Sequence, residues 1–119
     1  MITDLKRPYA AGTAISAYRF VKPGVDDDTA VVATAATDLI IGTSEHFDVA
    51  SGDMFDVFLG DIGKVKLGTG GIVRGQPLTA DATGQGVLAT TAGNRYAGFA
   101  LKSGVAGDIV PFIFQLGVL

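Results

Sequence analysis

Apolar residues in this chain occur in short runs, and most of the runs end at corners that contain glycine or aspartate. Within several runs apolar and polar side chains alternate, as from Met54 to Leu59 and from Lys64 to Leu67. Alternation with a period of two is typical of a strand with one buried face. The pattern therefore predicts an all-β chain of many short strands joined by tight turns.

The segment from Ile72 to Ala89 gives this reading most clearly, as strand, turn and strand. Asp81 can hydrogen-bond its own backbone two residues on, and Gly84 can take a positive φ at little steric cost, so a turn is predicted between them. Val87 and the residues after it return to strand composition. No side chain in the segment looks chemically reactive, which indicates a structural module.

Further strands are predicted on the same grounds at Ile15–Val21, Leu39–Thr43, Arg95–Leu101 and Ile109–Leu116. The segment Ala30–Ala36 is compatible with a strand or with one or two helical turns. Pro111 lacks the amide hydrogen of a strand ladder, so the last strand is predicted to lie at a sheet edge or to contain a bulge. Phe112 and Phe114 share one of its faces and Ile113 lies on the other, which predicts burial by the core on one side and leaves the second side for a partner.

Two parts of the chain carry similar motifs. Three segments, Ile41–Ser44, Ser51–Asp53 and Phe55–Phe58, are echoed by Ala97–Ala100, Ala106–Asp108 and Val110–Ile113. Upstream, Phe20–Gly24 is echoed more weakly by Ile72–Pro77. The pattern predicts two half-repeats, intertwined in a small Gly-rich β-barrel or β-sandwich, with chance similarity among glycine-rich β sequences as the alternative.

Residues 1–13 mix charges, Pro8 and Gly12 with few bulky apolar side chains. They are predicted to form an extended N-terminal arm, followed by a single β domain over residues 14–119. Two interpretations of the arm stay open: a frayed terminus, or an arm that adds a strand to a neighbouring subunit or fills a groove on it.

Composition narrows the classes of function. The chain has 119 residues, of which 48% are hydrophobic and 18% charged, as expected for one folded domain. The net charge of −3 without a basic cluster argues against binding to nucleic acid. The absence of cysteine excludes disulfides, thiolate metal sites and thiol catalysis, and it agrees with assembly in a reducing cytoplasm. No secretion signal or membrane-spanning run is recognised, so no membrane association is expected.

Candidate catalytic and metal-binding groups are few. His46 is the only histidine, with Ser44, Glu45 and Asp48 as conceivable partners, but a rim position is the favoured interpretation. The adjacent carboxylates of Asp26–Asp28 lack the alternate spacing of a calcium loop, which favours a solvated loop. We therefore expect no enzymatic activity, no metal and no cofactor.

Two rival binding functions are weaker. A lipoyl or biotinyl carrier domain presents a lysine on a hairpin, which Lys64 and Lys66 faintly suggest, but the flanking methionines typical of carriers are missing. A carbohydrate-binding or glycosidase function is disfavoured because the chain has no tryptophan and its carboxylates lie almost entirely at turns.

The turn and strand motifs resemble those of tailed-bacteriophage capsid cement proteins, also called head decoration proteins. The resemblance extends from Tyr18 to Leu116. The motifs that carry it are Val21–Gly24, Asp38–Gly42, Ala50–Asp53, Gly70–Asp81, Gly98–Leu101 and Ala106–Asp108. It implies a small β-rich protein, assembled in the host cytoplasm, that binds the outer surface of the virion head as a multimer and clamps neighbouring major capsid subunits. It implies no enzymatic activity and no cofactor.

Under this resemblance the candidate oligomer or capsid contacts are Leu5, Tyr9, Tyr18, Phe112 and Phe114. Full burial of one such side chain contributes about 1.5 to 3 kcal/mol. For the two phenylalanines a place in the core of the monomer is the alternative. A homotrimer is favoured over a dimer by analogy with the local three-fold positions of decorated heads.

Overall fold

A computed structural model describes residues 6–119, and these residues form ten β-strands and no helix. The first five strands are β1 (Lys6–Ala11), β2 (Phe20–Pro23), β3 (Thr29–Val32), β4 (Gly42–Thr43) and β5 (Met54–Phe58). The second five are β6 (Ile62–Lys66), β7 (Pro77–Ala80), β8 (Gly86–Leu88), β9 (Arg95–Ala100) and β10 (Ile109–Val118). The predicted all-β fold class is confirmed.

The first half of the chain, residues 6–59, forms a closed barrel with the strand order β1-β3-β2-β4-β5. Strand β1 is parallel to β3 and antiparallel to β5. The alternation that predicted β5 explains its burial, because Phe55 and Val57 point into the barrel while Met54 is exposed. The core of this half consists of Ala11, Ile15, Val21, Ala30, Val49, Phe55 and Val57.

The second half, residues 60–119, repeats this arrangement. Its strands have the order β6-β10-β9-β7-β8, and a single parallel bridge between Leu67 and Gly86 brings the two edges together. Each strand of the second half therefore has the same neighbours as the corresponding strand of the first. We call two residues counterparts when they occupy the same position in the two halves.

Hydrogen bonds at the turns establish the repeat residue by residue. The amide of Gly52 donates to the carbonyl of Ala11, and that of Gly107 donates to the carbonyl of Leu67. Both glycines have a φ near +90°. Gly42 pairs with a residue of β2 as Gly98 pairs with a residue of β7. The two half-repeats predicted from the sequence are therefore present.

The arrangement of the half-repeats differs from the prediction in two respects. They lie side by side and are not intertwined, because every strand pairs within its own half. The counterpart of Phe20–Pro23 is Pro77–Ala80 and not the segment that ends at Pro77, since Phe20 pairs with Thr43 as Pro77 pairs with Phe99. The weaker of the sequence echoes was out of register.

The predicted N-terminal arm is a barrel strand over residues 6–11. Residues of β1 pair with β5 from Lys6 to Ala10, and the amide of Ala10 also donates to the carbonyl of Asp28. Pairing on both sides ties this segment into the chain's own barrel. Leu5 and the residues before it lie outside the residues that the structure describes.

Three local predictions also change. The strand expected from Ile15 begins only at Phe20, because Tyr18 has a φ of +56° and breaks the extended run. The segment at Ala30–Ala36 continues β3 to Val32 and then turns. Strand β10 lies between β6 and β9, so Pro111 is in a central strand, and the one irregularity of the strand comes after Phe114.

The central position of Pro111 has a physical reason. Its carbonyl accepts a hydrogen bond from the amide of Leu101, one residue beyond the end of β9. In an antiparallel pair the amide and carbonyl of one residue face the same neighbour. The missing amide hydrogen of Pro111 therefore falls where β9 has already ended, and no ladder bond of β9 is lost.

Candidate functional site: two surfaces of the repeat

Two segments of the first half join it to the second. The Ala36 carbonyl accepts hydrogen bonds from the Arg95 amide and the Thr79 hydroxyl, and the segment Tyr18–Phe20 is inserted into the second half. The amide of Lys66 donates to the carbonyl of Tyr18 at 2.9 Å, and the amide of Phe20 donates to the carbonyl of Gly84 at 2.8 Å. In the first half the counterparts of Lys66 and Gly84 are Ala10 and Asp28, which bond to each other directly. In the second half the inserted segment therefore lies between Lys66 and Gly84 and replaces the direct bond that the first half has.

The side chain of Phe20 is the anchor of this junction. It is fully buried, and its ring lies 5.5 Å from that of Phe112 in an edge-to-face arrangement. It belongs to the core cluster of the second half, together with Val65, Ala80 and Ala97. We call Val65, Ala80 and Ala97, which share this core cluster with Phe20, the Phe20 socket.

Phe20 ends a row of side chains on the outside of the first barrel. The strand register places Phe58, Thr43 and Phe20 side by side across β5, β4 and β2. Thr43 and Phe20 are buried, and Phe58 is partly buried. This row is the surface by which the first half holds the second.

The counterparts of this row on the second half are all apolar; Phe99 and Pro77 are partly buried, and the row is most exposed at its β10 and β6 end. They are Ile113, Phe99 and Pro77, which the register again places side by side, and Ile62 extends the row on β6. Ile113 is 43% exposed and Ile62 is 59% exposed. We call these four residues the outer row.

Basic side chains flank the outer row. Lys64 is exposed and shares the outward face of β6 with Ile62, and both residues also line the crevice between β6 and the first half. Arg74 and Lys102 are exposed near Pro77, where the amide of Arg74 donates to the Ser103 hydroxyl at 2.9 Å. The outer row is therefore an apolar surface with a positive border.

The first half has a groove of the opposite character, with a volume of about 320 Å³. Its floor and walls include Tyr9, Pro23 and Ile41, and its rim includes Asp26 and Asp27. We call it the acidic groove. By strand register, Tyr9, Pro23 and Ile41 are the counterparts of Val65, Ala80 and Ala97, the residues of the Phe20 socket.

The carboxylates at the groove are held by the turn that carries them. Hydrogen bonds from the Thr29 hydroxyl and the Asp28 amide lower the pKa of Asp26, so its side chain is charged at neutral pH. Asp28 pairs with Arg7 at 3.2 Å, and the Arg7 guanidinium lies 4.4 Å from the centre of the Tyr9 ring. Within residues 6–119 the Asp27 carboxylate makes no ion pair, which leaves it available to a partner.

Charge is divided between the halves. Residues 1–59 contain nine acidic and four basic side chains, whereas residues 60–119 contain three acidic and five basic ones. The chain as a whole is acidic, with a net charge of −3. The two halves nevertheless have opposite signs, which favours contact between unlike halves.

The structure separates the residues that the sequence had grouped as contacts. Tyr9 lines the acidic groove. Tyr18 lines a crevice of about 270 Å³ between the first half and β6. Phe112 is fully buried, and Phe114 packs partly buried against the core. Phe112 is therefore a core residue and not a surface contact in this fold, and Leu5 lies outside the described residues.

The outer row was not identified from the sequence. Its signal was present in part, because the alternation in β10 had already placed Ile113 on the face opposite Phe112. The missing information was the strand register that brings Ile62, Phe99 and Pro77 beside it. These residues come from four different strands, and only the fold aligns them.

The candidate catalytic residues are occupied by structural hydrogen bonds. The Ser44 hydroxyl donates to the carbonyl of Ser16 and accepts from the amide of Arg19. Asp48 accepts from the amide of Ala17. Neither side chain bonds to His46 in the described part of the chain, and residues 6–119 contain no group of three side chains that could hold a metal ion.

Two remaining features bear on the rival functions. Lys64 and Lys66 lie within strand β6, paired with Pro111 and Ile109, and not at the tip of a hairpin as in a carrier domain. Over residues 6–119 the fold offers no helix with the length and apolarity needed to span a membrane.

Comparison with known proteins gives a likeness of fold. No family model and no curated protein sequence matches the chain. Among solved structures, the chain is similar to the N base of the head fiber gp8.5 of bacteriophage phi29, with a TM-score of 0.74 and 20% sequence identity. The match covers 95% of each chain. Both half-repeats therefore belong to a fold that the base of a phage head fiber also has.

Proposed function

We propose that this chain is a structural protein of a bacteriophage head, which binds the outer surface of the head as a homo-oligomer and joins neighbouring major capsid subunits. The observation that carries the proposal is the likeness over 95% of both chains to the base of a phage head fiber. The sequence motifs that resemble head decoration proteins support it independently.

The physical character of the chain suits such a role. A protein that binds joined capsid subunits and not separated ones stabilises the shell by its own binding free energy, about 2.7 kcal/mol per site at a free concentration one hundred times Kd. Several weak contacts suffice when an oligomer bridges several subunits at once. The exposed outer row offers an apolar surface of the kind that interfaces bury.

The remaining parts of the proposal follow from this role. The protein would act on the virion surface after assembly in the host cytoplasm, without catalysis and without a cofactor. Its net charge of −3 would keep it from binding the packaged DNA released from broken particles. A trimer is the favoured oligomer.

Co-sedimentation tests the proposal. The purified protein is mixed with DNA-free heads of the phage that encodes it, and separately with unassembled major capsid protein. We expect saturable binding to heads, little binding to free capsid protein, and a higher temperature of head disruption at saturation. Failure to bind heads at any concentration would refute the proposed function.

The likeness to the base of a head fiber favours a second candidate, a base on which a longer fiber stands. Mass spectrometry of the protein purified from phage particles separates the two. A mass near 12.2 kDa corresponds to the chain alone and supports a decoration protein. A much larger mass would support a fiber base.

A further inference from the structure

Within the chain, a surface of the first half, the row Phe58, Thr43 and Phe20, contacts a surface of the second half, the Phe20 socket. The counterparts of these two surfaces do not contact each other within the chain. These counterparts are the outer row on the second half and the acidic groove on the first. We infer that the outer row of one copy docks on the acidic groove of another, so that the copies associate head to tail.

The first argument is equivalence of position. The covered row Phe58, Thr43 and Phe20 corresponds to Ile113, Phe99 and Pro77. The backbone repeats as well. The amide of Ser44 donates to the carbonyl of Arg19 as that of Ala100 donates to the carbonyl of Gln76. Tyr18 and its counterpart Gly75 both have a positive φ, +56° and +90°. The second half therefore repeats the backbone arrangement that the first half uses for contact, with different side chains on it.

The second argument is equivalence of the receiving surface. The residues of the Phe20 socket, Val65, Ala80 and Ala97, belong to the same core cluster as Phe20, and their counterparts Tyr9, Pro23 and Ile41 line the acidic groove. The outer row of a second copy, placed on the first half as the covered row is placed on the second half, would contact the apolar floor of this groove. The partner that fits it is thus a second copy of this chain.

The third argument is charge. The groove rim carries Asp26 and Asp27, whereas the border of the outer row carries Arg74, Lys102 and Lys64. Contact between the second half of one copy and the first half of the next brings these opposite charges together, whereas contact between like halves does not. Electrostatic complementarity of this kind selects orientation and suppresses the wrong pairing.

One difference sets the strength of the contact between copies. Inside the chain the amide of Phe20 donates to Gly84, but its counterpart Pro77 has no amide hydrogen. On the receiving side the carbonyl of Asp28 is already bonded to Ala10. The contact between copies consequently uses side chains alone and is reversible, in contrast to the permanent contact within the chain.

A head-to-tail contact uses two different surfaces and forms a closed ring when its rotation closes. If three copies close the ring, six similar halves alternate around it. Only this number rests on the proposed function, since the contact itself follows from the repeat and the charges. Association in solution and binding to heads can therefore succeed or fail separately.

Sedimentation velocity over a concentration series tests the inference with charge variants of exposed residues. We expect R74D and D27K each to weaken self-association by about tenfold or more, and the double variant R74D/D27K to recover most of it, because the charge pair is restored in the opposite sense. The matched control R95D has the same net charge as R74D, but its site on β9 is four residues, about 13 Å, from Phe99.

The outcomes discriminate between partners and orientations. I113S should weaken association as R74D does, with circular dichroism of each variant establishing that it folds. A mixture of R74D and D27K should associate more than either alone, since each supplies the surface that the other lacks. A wild-type protein that stays monomeric at every concentration, or a D27K variant that associates like the wild type, would overturn the head-to-tail contact. If such a monomer still bound heads, the proposed function would stand and the outer row would belong to the capsid.

Discussion

Truncation of Phe20 is the sharpest test of how the two halves are held together. The side chain is fully buried, and it crosses from the first half into the core of the second, 5.5 Å from the ring of Phe112. Replacing a buried phenylalanine by alanine costs about 3–5 kcal/mol, through lost burial and a residual cavity. We expect Phe20→Ala to lower the free energy of unfolding by an amount in this range.

The assay is urea unfolding followed by circular dichroism and by tyrosine fluorescence. The matched control is Phe47→Ala, because Phe47 is 44% exposed and its truncation should change stability by less than about 0.5 kcal/mol. A double-mutant cycle with Phe112→Ala then isolates the ring pair. Residues in direct contact should show a coupling of about 0.5–3 kcal/mol.

The outcome also reports on cooperativity between the halves. With Phe20 in place we expect one transition by both probes, whereas Phe20→Ala should shift the transition of the second half, which depends on the inserted segment to fill its socket. A loss for Phe20→Ala below about 1 kcal/mol, or one equal to that of Phe47→Ala, would refute the assignment of Phe20 as the anchor of the junction.

Two further predictions concern single positions of the repeat. Gly42→Ala would place a methyl group against a carbonyl oxygen of β5, whereas a methyl group at Gly52 would lie in open space. Gly42→Ala should therefore destabilise the protein by more than Gly52→Ala, which meets only the cost of a positive φ, about 1 kcal/mol. Equal losses of unfolding free energy in urea would contradict this. Burial raises the pKa of Asp38, but amide hydrogen bonds and the Lys22 ammonium outweigh it and lower the pKa overall. Its contribution to stability is therefore present above the unfolded pKa of about 3.9 and is lost as the pH falls through the folded pKa. Asp38→Asn should reduce the loss of unfolding free energy at acid pH. The turn should still form, because the counterpart Asn94 caps the same turn with an amide oxygen. A pH profile of stability that is unchanged in Asp38→Asn would refute the assignment.

The parts of the fold that local chemistry determines could be predicted from the sequence. The alternation in β5 and β6 gave both strands and their buried faces. The turn at Asp81 forms as expected, with the carboxylate accepting from the amides of Thr83 and Gln85 and Gly84 at a φ of +79°. Three of the four echoes of the repeat are in correct register. Two of them contain glycines that the backbone requires, and the third is the alternating strand Phe55–Phe58 with Val110–Ile113.

Features that depend on pairing between distant segments could not be predicted. Residues 1–13 predict an arm because they mix charges, Pro8 and Gly12 with few bulky apolar side chains, whereas the place of β1 depends on a parallel contact with β3 and an antiparallel contact with β5. Phe112 was proposed as a contact because both faces of β10 are apolar, and only the register shows which face is inside. The outer row was missed for the same reason.

The differences between the two halves have a common consequence for assembly. In the second half Lys66 and Gly84 do not bond to each other, which leaves a slot between them for the segment Tyr18–Phe20. The amide of Phe20 and the carbonyl of Tyr18 join the halves there by backbone hydrogen bonds. If the second half kept an amide at position 77 and the first half kept an open slot, every copy could pair by backbone with the next, as exposed strand edges do in aggregation. Pro77 removes the donor, and the bond between Ala10 and Asp28 closes the slot. What is left for contact between copies is the side chains of the outer row and the acidic groove, which restricts association to a specific and reversible one.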